Sequence, residues 1–244
     1  PGDFRSEANG VINTMGGIGT ILGTLVLAQL MNLDIVLPVL GSTRDRLPFP
    51  VASLFVMIAV VVLLIFVRER NHDGEALEKR VPVTQSIKAV VAQKDRSAFF
   101  ILASIFLWFM AHEGVKPFLG LYSRDALGAS SGMMALPQGI AGIAYALAAI
   151  PMGYLAHRYG RRMVIRASLT GLVGITALFA VFSILGPSLG LAGTGAFYVF
   201  LGMMFVYGIF WGSVITNSFP MLWQMSTFGT IGIFTGLYYT FSQS

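Results

Sequence analysis

From Ala167 to Ser244 the chain contains no Asp, Glu, Lys or Arg. A water-soluble fold does not leave that length of surface uncharged, because soluble domains carry roughly a quarter charged residues. A helix in hydrocarbon tolerates it, since it satisfies its own backbone and presents only apolar side chains to lipid. The whole sequence agrees, with 55% hydrophobic residues, 11% charged residues and a mean hydropathy of +0.75. The expected fold class is all-α, a polytopic helical bundle in a membrane.

A window of about 19 residues predicts seven spans, the last cut short: Gly10 to Met31, Pro48 to Val67, Phe99 to Leu121, Met133 to Ala156, Ala167 to Leu185, Ala196 to Gln224 and Ile231 onward. Asn32 to Leu47 reads as a loop, with Pro38, Gly41 and the triplet Arg44, Asp45, Arg46, and its "IVLPVL" is apolar enough to dip into the interface. Arg68 to Ser97 is the longest polar stretch, with seven Lys/Arg and five Asp/Glu. It reads as a linker between two bundles, with a short surface helix around "TQSIKAVVAQ". The chain begins with Pro1 and ends inside an apolar run, so it is expected to be a piece of something longer.

Lys and Arg in alternate loops set the orientation. Arg5, the seven in the linker and Arg158, Arg161, Arg162 and Arg166 put twelve on one face, against Arg44, Arg46 and Arg124 on the other. The first face is therefore expected to be cytoplasmic. The net charge of +5 does not indicate nucleic acid, because these residues sit in short segments between apolar runs.

No cysteine is present, which excludes disulfides, thiolate metal sites and thiol catalysis. "GLAGTG" at Gly190 to Gly195 lacks the lysine of a phosphate loop, and in "HEGVK" Lys116 stands where a zinc protease needs its second histidine. No catalytic residue, metal or cofactor is expected. The pairs Gly19/Gly23 and Gly208/Gly212 have the small-xxx-small spacing that lets helices approach closely.

The most specific signal is "GYLAHRYGRRMVI" at Gly153 to Ile165. It resembles the cytoplasmic loop signature of the major facilitator superfamily: a glycine, three residues, an acidic and a basic residue, one residue, a glycine and two basic residues. Gly153, Arg158, Gly160, Arg161 and Arg162 match, while His157 replaces the acidic residue. Physically, glycine permits a tight reversal between helices, and arginines suit the cytoplasmic ends of neighbouring helices, where carbonyl dipoles attract them.

That resemblance implies twelve helices in two six-helix halves joined by a long cytoplasmic linker, with the signature between helices two and three and again between eight and nine. Residues 1–67 then correspond to the end of the first half, 68–97 to the linker and 98–244 to the second half, from just before helix five to within helix eleven. "FRSEANGVINTMGGIGTILG" and "NSFPMLWQMSTFGTIGIFTGLYYTFSQ" further resemble glycoside, pentoside and hexuronide cation symporters, in the branch similar to sucrose-proton cotransporters. This implies a cell-membrane transporter, monomeric at full length, whose partners are a sugar-like small molecule, a coupling cation and membrane lipid. A drug or metabolite antiporter of the same fold, a membrane enzyme and a structural membrane protein are the alternatives.

Two helical faces suit a polar solute. Asn9, Asn13, Thr20 and Thr24 share one face of the first span with Gly16 and Gly17, and Ser213, Asn217, Pro220 and Gln224 share one face of the sixth. Each amide serves either the substrate or an interhelical hydrogen bond. Trp108, Trp211, Trp223, Tyr238 and Tyr239 offer ring faces for sugar stacking, although interface belts and lipid packing also use aromatics.

"FLWFMAHEGVKPFLGLY" places His112, Glu113 and Lys116 within an apolar span. Each ionisable group costs a few kcal/mol at membrane depth, and such residues usually mark a transport path. The spacing lets Glu113 pair with Lys116. The expected roles are Glu113 as proton or substrate ligand, Lys116 as its charge partner and His112 as a proton relay; a structural ion pair with a snorkelling lysine is the alternative.

Overall fold

The computed structural model describes residues 5–38, 41–67, 96–191, 193–225 and 231–243, apart from the side chains of 5–14, 37, 231 and 243. The helices are α1 (Arg5–Leu25), α2 (Pro48–Phe66), α3 (Ser97–Asp125), α4 (Leu136–Tyr159), α5 (Arg161–Leu185), α6 (Gly193–Trp223) and α7 (Ile231–Gln243). A 3-10 segment, Leu27–Asn32, prolongs α1. Two-residue strands, Val36–Leu37 and Gly41–Ser42, close a small antiparallel hairpin in the loop that follows.

Among the described residues, six helical segments are long and apolar enough to cross a membrane. The 13 residues of α7 rise about 20 Å at 1.5 Å each, short of the ~30 Å hydrocarbon core. The expected linker lies outside the described residues except for Arg96 and Ser97, and so does the surface helix around "TQSIKAVVAQ".

Local chemistry sets several boundaries. Proline opens α2 and α4 within the first two helical positions, where its missing N–H would be unpaired anyway. Between α4 and α5 the connection is a single residue, Gly160, at φ 89° and ψ 136°, a conformation that a side chain disfavours. The expected loop from Ala156 to Ala167 is therefore largely helical. Its arginines extend the first turn of α5, because Arg is a good helix former.

The core centres on α6, packed against α4 and α5. A methyl added at Gly208 would run into the carbonyl of Ala141, and one at Gly212 would lie 3.0 Å from Tyr145 Cα. That pair is the close approach its spacing predicts. Gly19 and Gly23 instead have nothing within 4 Å of an added methyl, so their face of α1 is open. The opposite seam of α1 meets α4: Gly17 faces Ala146, Thr20 faces Gly142, and Thr24 and Leu25 crowd Gly139.

Leu102 and Ile105 of α3 pack with Phe219 and Leu222 of α6 and Phe234 and Leu237 of α7 in a second cluster. No residue of α2 is buried. Its apolar side chains face outward, as lipid requires, since lipid tails are as apolar as leucine.

Candidate functional site

A cavity of about 1050 Å³ is bounded by α1, α3, α4, α5 and α6. That is the upper end of the usual range for small-molecule sites, roughly 300–1,000 Å³. α3 contributes Trp108, His112 and Lys116, four residues apart and so stacked on one face. Tyr207 and Trp211 bring the same spacing from α6. Gly16, Gly17 and Thr20 of α1 form a small wall, and Gln138, Tyr145 and Thr176 add polar groups from α4 and α5.

Tyr207 Oη lies 2.6 Å from His112 Nδ1, donating or accepting according to the tautomer. The two rings are parallel within 5°. Trp211 stacks on His112 at 4.0 Å and 16°, so α3 and α6 share one layered aromatic group. Trp108 Nε1 is buried and has no hydrogen-bond partner among the described residues.

Lys116 Nζ donates to both carboxylate oxygens of Glu113, at 2.9 and 2.8 Å. The lysine lines the cavity and the glutamate does not; their side chains are 40% and 52% exposed. The backbone around the pair is unusual. Pro117 has no N–H, which leaves the Glu113 carbonyl without its helical donor. Gln138 Nε2 donates to the Lys116 carbonyl at 3.0 Å, tying this turn to α4.

The Major Facilitator Superfamily model matches residues 1–244. The chain belongs to the Major Facilitator Superfamily. It is therefore a multi-pass integral membrane protein of a superfamily of secondary transporters of small molecules. A comparison with curated proteins finds no match.

The superfamily's loop signature lies at one end of the bundle, where its residues divide the work. Gly160 makes the reversal. Gly153 lies inside α4, where an added methyl would stand 3.8 Å from Thr216. Arg161 Nη1 donates to the Pro220 carbonyl in the last turn of α6 at 3.4 Å, a carbonyl that also accepts from the Gln224 N–H at 3.1 Å, and its charge suits the negative end of the helix dipole. Arg158 lies over the Tyr159 ring at 5.4 Å, while His157 and Arg162 are exposed.

Not every expected site residue reaches the superfamily member's cavity. Asn217 is buried in the α4–α6 seam, donating to Ser213 O at 2.8 Å and Met152 O at 3.4 Å. Gln224 is exposed beyond the end of α6, and the side chain of Asn13 lies outside the described residues. Trp223 Nε1 donates to Thr235 Oγ1 of α7 at 3.0 Å, and Tyr238 is buried in the second cluster. Sequence reasoning did not single out Tyr207, Gln138, Tyr145 or Thr176. Tyr207 was within reach, because it precedes Trp211 by one helical turn.

Proposed function

We propose that the protein is a proton- or other cation-coupled symporter of a sugar or glycoside, acting by alternating access in the cell membrane. The observation that carries this reading is the hydrogen-bonded His112–Tyr207 layer on Trp211, set in a cavity wall beside Lys116. Aromatic planes suit the apolar faces of a pyranose, and Gln138, Thr20 and Thr176 in the same walls suit its hydroxyls. The resemblance to glycoside, pentoside and hexuronide cation symporters supports the same substrate class.

In this reading residues 1–67 and 98–244 belong to the two halves, joined by the 68–97 linker. The cavity then lies between them, bounded by α1 from one half and α3 to α6 from the other. His112, Glu113 and Lys116 form the ion path together with Trp211, and Gly153 to Arg162 form the cytoplasmic gate. Asn217 braces the α4–α6 seam, and Asn13 and Gln224 serve the cytoplasmic end of the path. The full-length protein works as a monomer.

Uptake of labelled glucose, sucrose and methyl glucosides into proteoliposomes containing the intact protein tests this. Concentrative uptake under an inward proton or sodium gradient, collapsed by the matching ionophore, is the expected result. Proton-driven extrusion of a lipophilic cation with no sugar uptake would establish the antiporter reading instead. Lys116 in the wall weighs against that substrate, since like charges repel in a poorly solvated site.

A further inference from the structure

The α4–α5 reversal carries charge that its own helices do not neutralise. From Ala126 to Ser244 the sequence contains no Asp or Glu, and the described salt bridges, Glu113–Lys116 and Arg124–Asp125, both lie on α3. Arg161 has a protein acceptor in the Pro220 carbonyl. Arg158, Arg162 and Arg166 are exposed and have no carboxylate partner among the described residues. Arg158 lies instead over the Tyr159 ring at 5.4 Å. Arg162 and Arg166 stand one turn apart on α5, a spacing at which like charges destabilise a helix.

These arginines also end the apolar faces that the two helices turn outward. Arg162, Arg166, Val173 and Ile184 fall on one stripe of α5 by helical spacing, and all four are exposed. The other side of α5 buries Ser168, Leu172 and Ile175. On α4, Ile150, Tyr154 and Arg158 follow at four-residue intervals and are likewise exposed. Depth is set by helix rise. Measured from Leu185, Arg166 lies ~28 Å along α5 and Arg162 ~34 Å, against a hydrocarbon core of ~30 Å. Arg158 lies ~33 Å from Leu136 along α4. Both stripes are therefore apolar at the level of acyl chains and cationic at the level of headgroups.

We propose that Arg158, Arg162 and Arg166 form a binding site for the headgroup phosphate of an anionic phospholipid whose acyl chains lie along the α4 and α5 stripes. The charge bias assigns this end to the cytoplasm, and the cytoplasmic leaflet is the anionic one. A guanidinium pairs with phosphate through two parallel hydrogen bonds. Arg166, at the edge of the hydrocarbon, reaches the same phosphate by extending its side chain outward, and Tyr154 sits at the depth where aromatic side chains anchor helices. A soluble acidic segment fits less well, because it cannot follow Arg166 to the edge of the hydrocarbon without burying its own charge. The lipid supplies the anion that the reversal lacks and relieves the repulsion between Arg162 and Arg166. This site is separate from the cavity and does not depend on which solute the cavity carries.

The test offers the intact protein, in detergent, equal amounts of phosphatidylglycerol and phosphatidylcholine with the same acyl chains. Retained lipid is counted by native mass spectrometry, and thermal unfolding is followed with each lipid. Phosphatidylglycerol should be preferred about fivefold or more and should raise the unfolding midpoint, an effect that shrinks as ionic strength rises. The double variant Arg162→Gln, Arg166→Gln should lose the preference, and Arg166→Gln alone should weaken it. Arg162→Lys with Arg166→Lys keeps the charge and should retain most of it. Arg124→Gln, which changes an arginine already paired with Asp125, should leave it intact. Equal retention of the two lipids by the wild-type protein overturns the proposal, and so does a preference that persists in Arg166→Gln and in the double variant. Inorganic phosphate that reproduces the midpoint shift, or poly-L-glutamate that displaces the retained lipid, overturns the phospholipid as occupant and assigns the arginines to a soluble anion or an acidic protein.

Discussion

His112 Nδ1 and Tyr207 Oη meet at 2.6 Å across 95 residues of sequence, and their rings lie within 5° of one plane direction. This bond is what aligns α3 with α6 at the cavity, because Trp211 then stacks on the imidazole at 4.0 Å. Tyr207→Phe keeps the ring and removes the hydroxyl. The expected loss is about 1 kcal/mol of stability, typical of an interhelical hydrogen bond in a membrane, with a several-fold weaker apparent affinity for substrate. Thermal unfolding in detergent and substrate counterflow measure the two effects, and an unchanged KM would show that the layer does not touch the solute.

A second junction ties the 3-10 segment after α1 to Gly132, just before α4, at the end that the charge bias assigns to the outside. Gln29 Nε2 donates to the Gly132 carbonyl at 2.9 Å, and Asn32 Oδ1 accepts from the Gly132 N–H at 3.1 Å. The N–H and C=O of one residue are thus held by two carboxamides, which are themselves linked at 3.2 Å. A methyl at Gly132 would collide with the Asn32 carboxamide. Gly132→Ala should therefore loosen the outer end, and a reporter cysteine at Thr20 should react faster with an impermeant maleimide added outside. The chain has no native cysteine to confuse the signal. An unchanged labelling rate would mean that this junction does not hold the outer end closed.

The two glycine pairs predict opposite outcomes. At Gly208 an added methyl meets the backbone of Ala141, whereas at Gly19 it meets nothing. Gly208→Ala should cost about 1–3 kcal/mol, the usual penalty for overpacking a tight core. Gly19→Ala should be neutral or slightly stabilising, since alanine is the better helix former by about 1 kcal/mol. Unfolding midpoints of the two variants, measured side by side, decide the matter; equal losses would sink the distinction between a packed and an open face.

At the loop signature, which the charge bias assigns to the cytoplasm, Arg161 reaches the Pro220 carbonyl while His157 stands exposed where the family pattern has an acid. Arg161→Ala should weaken the α5–α6 contact at this end, and His157→Asp should strengthen cytoplasmic closure by adding a carboxylate among basic residues. Cysteine accessibility from the cytoplasmic side should rise in the first variant and fall in the second. Equal accessibility in wild type and His157→Asp would remove His157 from the gate.

Membrane insertion, six of the helices, the α4–α5 reversal and the α4–α6 glycine contact were legible along the chain. Each depends on a local or one-dimensional property: apolar run length against bilayer thickness, the φ that only glycine adopts readily at Gly160, and the four-residue spacing of Gly208 and Gly212. Even the pairing of Glu113 with Lys116 followed from i,i+3 geometry.

Tertiary structure alone decided which way each helix face looks. A helix turns about 100° per residue, so His112 and Lys116 can enter a cavity while Glu113, next in sequence to His112, stays outside it. Asn217 and Trp211 show the same thing on α6: one is consumed by the α4 seam and the other opens onto the cavity. Spacing groups residues on a face, but it is the packing of α1, α4 and α5 around α3 and α6 that determines whether that face meets solute, lipid or another helix.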